Sequence, residues 1–541
     1  MFLRRAILAL VAMIGTTQAQ AQVPPSVAPE GQDAARGGGG PPLPPSATVW
    51  RMDPAKDRAP IVPRRFVRDR VGVFAGTRLK YTVTAADTLL KDALGRPTGS
   101  IFSFSYVARP RAGFDRPVIF IFNGGPGSSS LWLHMGVLGP RKIAFRDVSP
   151  SQVPPYRLVD NPDSALAVAD LVFVDPIGTG FSRYWGGGKP SDFYGREEDA
   201  KATVDFIQDW LRVNHRWNSP KFLIGESYGT TRAALVANRL FGGVFGGTLR
   251  GIAINGVIMI GGNGGLATPQ GNDAYLTTFT TMAATAWYHG RVNAAGRSFD
   301  QFIADAGRFA HDGLLPGLDS WATLGAPERS ALAQRAAGFV GLHPDYLLSK
   351  GLKIEVPEFQ KALLADRHEV IGMYDGRYTL PAMGGAHDPV GDDPAMGQYA
   401  PAFIGGFETY IRDDLGIDVD DEYVVIDWIN VNFPFSQRGG EDDTAGAALA
   451  ATMRRNPDMW LMSIQGWFDM FGAVGSAAYG IAQRELPSDR VEQKTYWSGH
   501  MAYVGDAGLK MAADLKDFIR RASLGRPHSV AAAAKSEGDR P

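Results

Sequence analysis

"LIGESYGTTR" fills residues 223–232 and holds Gly225-Glu226-Ser227-Tyr228-Gly229 between an apolar run and a helix-like one. G-x-S-x-G at a strand-to-helix junction predicts a sharp turn that lifts the serine Oγ above the carboxyl edge of a sheet. Glycine on either side permits the tight backbone. Ser227 is therefore the candidate nucleophile. The residue before it, Glu226, is a carboxylate that would repel an anionic substrate, so its place calls for an explanation.

The segments around this stretch alternate in the way an α/β sheet requires. "RPVIFIFNGG", "ADLVFVD", "PKFLIGES" and "LRGIAINGVIMI" read as buried strands. "REEDAKATVDFIQDWLRVN" places Val204, Ile207 and Leu211 on one helical face, and "GTTRAALVANRL" is a second helix. Short links between them predict a mostly parallel sheet covered by helices on both faces. Before this part, from about Phe66 to Val107, "VGVFAG", "RLKYTVTA" and "SIFSFSYVA" read as antiparallel strands. After Gly262 the rhythm breaks into helix-like and irregular pieces. It returns with the strand "MWLMSIQG", the helix "AVGSAAYGIAQREL", the strand "VEQKTYWSG" and a last helix. The division expected is an α/β domain over 49–262 and 456–524, interrupted by a helical cap insertion over 263–455.

The ends read differently. Arg4 and Arg5, the apolar run "AILALVAMIG" and Ala19-Gln20-Ala21 fit a signal peptide over 1–21, and hence an exported protein, periplasmic or secreted. The apolar run is shorter than the roughly 20 residues a membrane span needs. Residues 22–48, with "GGGGPPLPP", read as a disordered leader, and 525–541 as a disordered tail. The 541 residues carry a formal net charge of −1, so no general attraction to nucleic acid is expected. There is no cysteine, which excludes disulfides, thiolate catalysis and Cys-ligated metals.

A serine nucleophile needs a base, and the base an orienting acid. In the hydrolase fold they follow the serine in the order acid, then histidine. Of the nine histidines only His500, in "WSGHMAY", stands just after the last strand, at the same sheet edge as Ser227. Asp469 follows the strand "MWLMSIQG" by a short loop and is the candidate acid, with Asp427 the alternative. Tyr228, after the nucleophile, is one oxyanion-hole donor, and the loop "FNGGPGSSS" (122–130) supplies the other. That loop lacks the phosphate-binding patterns G-x-x-x-x-G-K and G-x-G-x-x-G. Such a site needs neither metal nor cofactor.

The chain resembles the serine carboxypeptidases of the carboxypeptidase Y type, which have the α/β-hydrolase fold. The likeness rests on "NGGPGSSS" (123–130), "NPDSALAVADLVFVDPIGTGFS" (161–182), "GESYG" (225–229), "GIAINGVI" (251–258) and "SGHM" (498–501). It implies Ser227, His500 and Asp469 as the triad and Gly125 with Tyr228 as the oxyanion hole. It further implies that Asn123, the Gly124 backbone and Glu226 bind the free C-terminal carboxylate of a peptide. A protonated Glu226 would donate a hydrogen bond to that carboxylate, since two carboxyls sharing a proton attract. The implied activity is removal of C-terminal residues through an acyl-enzyme, with an acidic preference. The chain departs from the family pattern at Ile121 in place of Trp, Ser128 in place of Cys and Arg183 in place of Tyr. Its interval from acid to base is also short. The alternatives are an esterase or acyltransferase, or another serine peptidase on the same fold, and, more remotely, a non-catalytic binding protein.

Overall fold

The chain enters the fold as an antiparallel meander of β1 (Arg65–Phe74), β2 (Thr77–Lys91) and β3 (Pro97–Arg109). Ala75 and Gly76 join β1 to β2, with φ of 47° and 77°. Positive φ at both turn residues gives a twist that matches the flanking strands. The computed structural model describes residues 62–109, 116–148, 153–243, 248–382, 388–427 and 444–524. The signal peptide, leader and tail expected at 1–21, 22–48 and 525–541 lie outside these residues.

Four fully buried strands follow: β4 (Val118–Phe122), β5 (Asp170–Val174), β6 (Lys221–Glu226) and β7 (Gly256–Ile260). β8 (Trp460–Gly466) and β9 (Val491–Tyr496) complete the series. Among the described residues these strands form one sheet in the order β1-β2-β3-β5-β4-β6-β7-β8-β9, with the short strand Arg183–Tyr184 against β3. Pairing is antiparallel from β1 to β5 and parallel from β5 to β9.

Alternation along the strands divides the apolar side chains between two layers. Ile119, Ile121, Phe173, Ile224 and Ile258 pack with Met511, Leu515 and Phe518 of helix Ala507–Ser523. Val118, Phe120, Phe122, Leu223 and Val257 face the other way. They meet Val204 and Ile207 of α1 (Arg196–Val213) and Ala233 and Val236 of α2 (Tyr228–Phe241). α1 is favoured at its start by Glu197, Glu198 and Asp199, which oppose the positive end of the helix dipole. This is the α/β-hydrolase fold, as the sequence predicts.

Residues between β7 and β8 pack in three places. Helices Asp273–Tyr288, Phe299–Phe309 and Ala326–Val340 build a core of their own around Phe279, Met282, Phe302 and Phe309. Phe468 and Met470, from the loop after β8, are buried in that same core. Helix Met396–Thr409 instead packs Tyr399, Phe403 and Phe407 into one sheet layer. Helix Thr444–Arg455 packs Ala445, Leu449 and Met453 into the other, beside α2. No helix among the described residues is long and apolar enough to cross a membrane.

Candidate active site

At the junction of β6 and α2, Ser227 adopts φ 58° and ψ −128°. A non-glycine residue there is strained and persists only when its surroundings impose it. Ser227 N–H donates to Ile260 O at 2.9 Å. Thr230 Oγ1 donates to Ser227 O at 2.7 Å. The flanking glycine is a matter of space: a Cβ on Gly225 would overlap the Gly229 carbonyl. The loop after β4 rests directly on this turn. A Cβ on Gly124 would lie 2.5 Å from Tyr228 N and 2.6 Å from Glu226 O. The Gly124-Gly125 backbone therefore lies against the first turn of α2, where a helix's leading N–H groups have no intrahelical acceptor. These are the two backbone segments from which an oxyanion hole is expected.

His500 and Asp469 meet at the same edge. His500 Nδ1 lies 2.8 Å from Asp469 Oδ2, and both residues are buried. Asp469 Oδ1 accepts from Phe471 N at 2.9 Å and Gly472 N at 2.7 Å, which fixes the carboxylate plane. Its chain neighbours Phe468 and Met470 anchor the loop in the insertion's core. Burial opposes the charged imidazole most strongly of any one cause, but the charge and hydrogen bond of Asp469, with the charges of Glu226 and Asp393, together overcome it, and the His500 pKa is raised. His500 Nε2, the nitrogen away from Asp469, has no hydrogen-bond partner among the described residues. The Gly261-Gly262 turn after β7 touches both sides. A Cβ on Gly261 would stand 3.0 Å from His500 Nδ1, and one on Gly262 would stand 2.9 Å from Ser227 O. Asp427, the alternative acid, instead sits by the loop after β4, its N–H donating to Gly127 O at 2.8 Å.

Glu226 is 3% exposed. Its Oε2 accepts from Asn123 Nδ2 at 2.6 Å and from the Tyr503 hydroxyl at 2.8 Å. Burial pushes its pKa up to about 7. The charge of His500 and the two hydrogen bonds pull it down, and Asp469 adds to the rise. A carboxyl with that pKa is about half protonated at pH 7 and mostly protonated in mildly acidic solution. Asn123 is held from both ends: its Oδ1 accepts from Leu133 N at 3.2 Å, and its carbonyl accepts from Arg232 Nη1 at 2.6 Å. Arg232 is in turn paired with Asp199 at 2.8 Å, and the Tyr228 hydroxyl donates to the same carboxylate at 3.1 Å. α1 and α2 thus clamp the Asn123 loop against the serine turn.

The structure brings Ser227, Glu226, Asn123, the Gly124-Gly125 backbone, His500 and Asp469 together at this edge. Arg183 is turned to structural use, donating to the carbonyls of Gly180, Ser182 and Glu422. Ile121 is buried in β4. Sequence reasoning missed Tyr503, Tyr374, Phe471 and the Asp199–Arg232 pair. Tyr374 O accepts from His500 N at 2.6 Å, and its ring packs edge-on to the imidazole. The one available signal for Tyr503 was its place three residues after His500.

An α/β-hydrolase sheet carrying a serine turn and a buried His–Asp pair at one edge defines the class. The resemblance to the serine carboxypeptidase family is found again in comparison with known proteins: the sequence model of that family matches residues 98–304. The pheromone-processing carboxypeptidase KEX1 of Podospora anserina is 29% identical over 182 residues, 33% of this chain and 28% of that protein. Serine carboxypeptidase-like 36 of Arabidopsis thaliana is 32% identical over 142 residues, 25% of this chain and 27% of that protein. The chain thus spans under a third of the length of either relative. Among solved structures, the prohormone-processing carboxypeptidase Kex1(delta)p of Saccharomyces cerevisiae aligns with 15% identity and a TM-score of 0.48, covering 82% of this chain and 91% of that one.

Proposed function

We propose that this chain is an exported serine carboxypeptidase, periplasmic or secreted, that shortens peptides from the C-terminus through an acyl-enzyme and favours mildly acidic conditions. The observation that carries the reading is Glu226. A buried carboxyl beside Ser227, bonded to Asn123 and with its pKa raised to about 7, is a proton donor where a chain-end carboxylate would sit. An arriving anion raises that pKa further and keeps the proton in place. The apparent repulsion of a carboxylate next to the nucleophile becomes selection for a chain end.

In this reading Ser227 Oγ attacks the last peptide carbonyl while His500 Nε2 takes its proton. Asp469 holds the imidazole with Nδ1–H toward itself and stabilises the cation. The backbone N–H groups of Gly125 and Tyr228 take the developing oxyanion. The C–N bond breaks, and the released amino group takes the proton from His500. Water then adds to the acyl-enzyme, losing a proton to His500, and the shortened peptide leaves as Ser227 Oγ regains it. No step calls for a metal or cofactor, and nucleic acid has no part in it.

The test is a peptide library with free C-termini, its products read by mass spectrometry. The expected result is a ladder of single-residue losses from that end. A peptide acid should exceed its C-terminal amide about a hundredfold in kcat/KM, the scale of losing a charge-assisted hydrogen bond in a buried site. Equal rates on acid and amide, or internal cleavage, would instead assign the triad to an esterase, an acyltransferase or another peptidase.

A further inference from the structure

We propose that Tyr503 is a positioning residue that, with Asn123, confines the proton of Glu226 to Oε1 and so aims the carboxyl at the substrate's chain end. The proposal rests on the reading of Glu226 as the chain-end receptor. Both hydrogen bonds that Glu226 receives end on Oε2, from Asn123 Nδ2 at 2.6 Å and the Tyr503 hydroxyl at 2.8 Å. A carboxylate oxygen has two in-plane lone pairs, and here both are taken. A proton on Oε2 would have to displace one of the donors. Asn123 cannot reverse its role, because its Oδ1 already accepts from Leu133 N. Glu226 Oε1 receives no bond from the described residues, so the neutral acid carries its hydrogen there.

Tyr503 is fixed in turn. It is 3% exposed, and its ring lies so close to the backbone of Gly136 that a Cβ at position 136 would overlap it. Gly136 belongs to the helical turn His134–Leu138, so this contact ties the loop after β9 to the segment after β4. Burial and the neighbouring Glu226 raise the phenol pKa well above its ordinary value, so Tyr503 stays a donor. The other titratable groups that face Glu226 are His500 and Asp469 from the loops after β9 and β8 and Tyr374 from the insertion. None of these donates to its carboxyl among the described hydrogen bonds.

Tyr503→Phe keeps the ring and removes one donor from the ionised form of Glu226. The alkaline limb of kcat/KM on a peptide acid should therefore move up by about one pH unit, the scale of one hydrogen bond to a charged group. The peak should fall by about tenfold more on a peptide acid than on its ester, because the proton is no longer held on Oε1. In the Glu226→Gln background the Tyr503 substitution should no longer move the limb. Infrared difference spectra, with Glu226→Gln as the blank, should place the protonated Glu226 C=O stretch higher in Tyr503→Phe, since that oxygen has lost a donor. An unmoved limb with an unmoved stretch would overturn the proposal. So would equal losses on acid and ester, which mark a merely structural tyrosine. If the unsubstituted enzyme itself fails to distinguish acid from ester, the chain-end reading fails; the infrared comparison still tests the proton's position.

Discussion

Ser227→Ala is expected to lower kcat by about a millionfold, the scale seen when a triad nucleophile is removed. It should also abolish covalent labelling by a fluorophosphonate. The expectation comes from the strained turn at φ 58° and from the His500–Asp469 pair at the same sheet edge. The fold should survive, because the bonds that hold the turn use the Ser227 backbone rather than its hydroxyl. Labelling that persisted in the alanine variant, mapped by peptide mass spectrometry, would take Ser227 out of the chemistry.

Asp469→Asn should cost about ten-thousandfold in kcat, with far less change in KM. An amide beside His500 Nδ1 can donate a proton there, which drives the imidazole to the tautomer protonated on Nε2. That tautomer cannot accept the serine proton. The loop itself should hold, since Phe471 and Gly472 N–H can still bond the remaining side-chain oxygen and Phe468 and Met470 stay buried. Asp427→Asn is the comparison, because Asp427 sits by the loop after β4 and His500 is bonded to Asp469. The two variants, with kcat measured on one peptide at several pH values, separate the candidate acids. An Asp469→Asn enzyme within tenfold of the unsubstituted one would exclude Asp469.

The sheet was legible because its central strands are buried on both faces and read as unbroken apolar runs, such as "VIFIF" at 118–122. The serine turn was legible because spacing and context agree, and the structure gives Gly225 and Gly124 steric reasons for their places. His500 and Asp469 could be chosen by asking which edge of the sheet each loop must reach. Tyr503 could not, since its bond to Glu226 joins residues 277 apart in the chain and no local pattern encodes it. The same holds for Arg232, whose pairing with Asp199 and bond to the Asn123 carbonyl link two helices and a loop. Thr444–Arg455 was obscure for a related reason: its apolar face is ordinary, and only tertiary packing directs it to α2. Local rules thus pointed to the groups proposed for the chemistry, but not to Tyr503 and Arg232, which hold Glu226 and Asn123 from distant parts of the chain.

The central claim, that a protonated Glu226 receives the chain end, is tested most directly by two pH profiles of kcat/KM on one peptide acid, for the unsubstituted enzyme and for Glu226→Gln. Activity should fall at low pH as His500 takes up a proton and at high pH as Glu226 gives one up, the two limbs reporting the coupled pair. With the Glu226 pKa pushed up to about 7, the alkaline limb should begin near neutrality. Glutamine keeps a donor that cannot ionise, so that limb should move to higher pH. The peak should drop by about tenfold, because an amide is a weaker donor than a carboxylic acid. The ester of the same peptide, which brings no anion, should show little of the shift. Superimposable alkaline limbs would contradict the account, leaving Glu226 a structural carboxyl with no part in recognising the substrate.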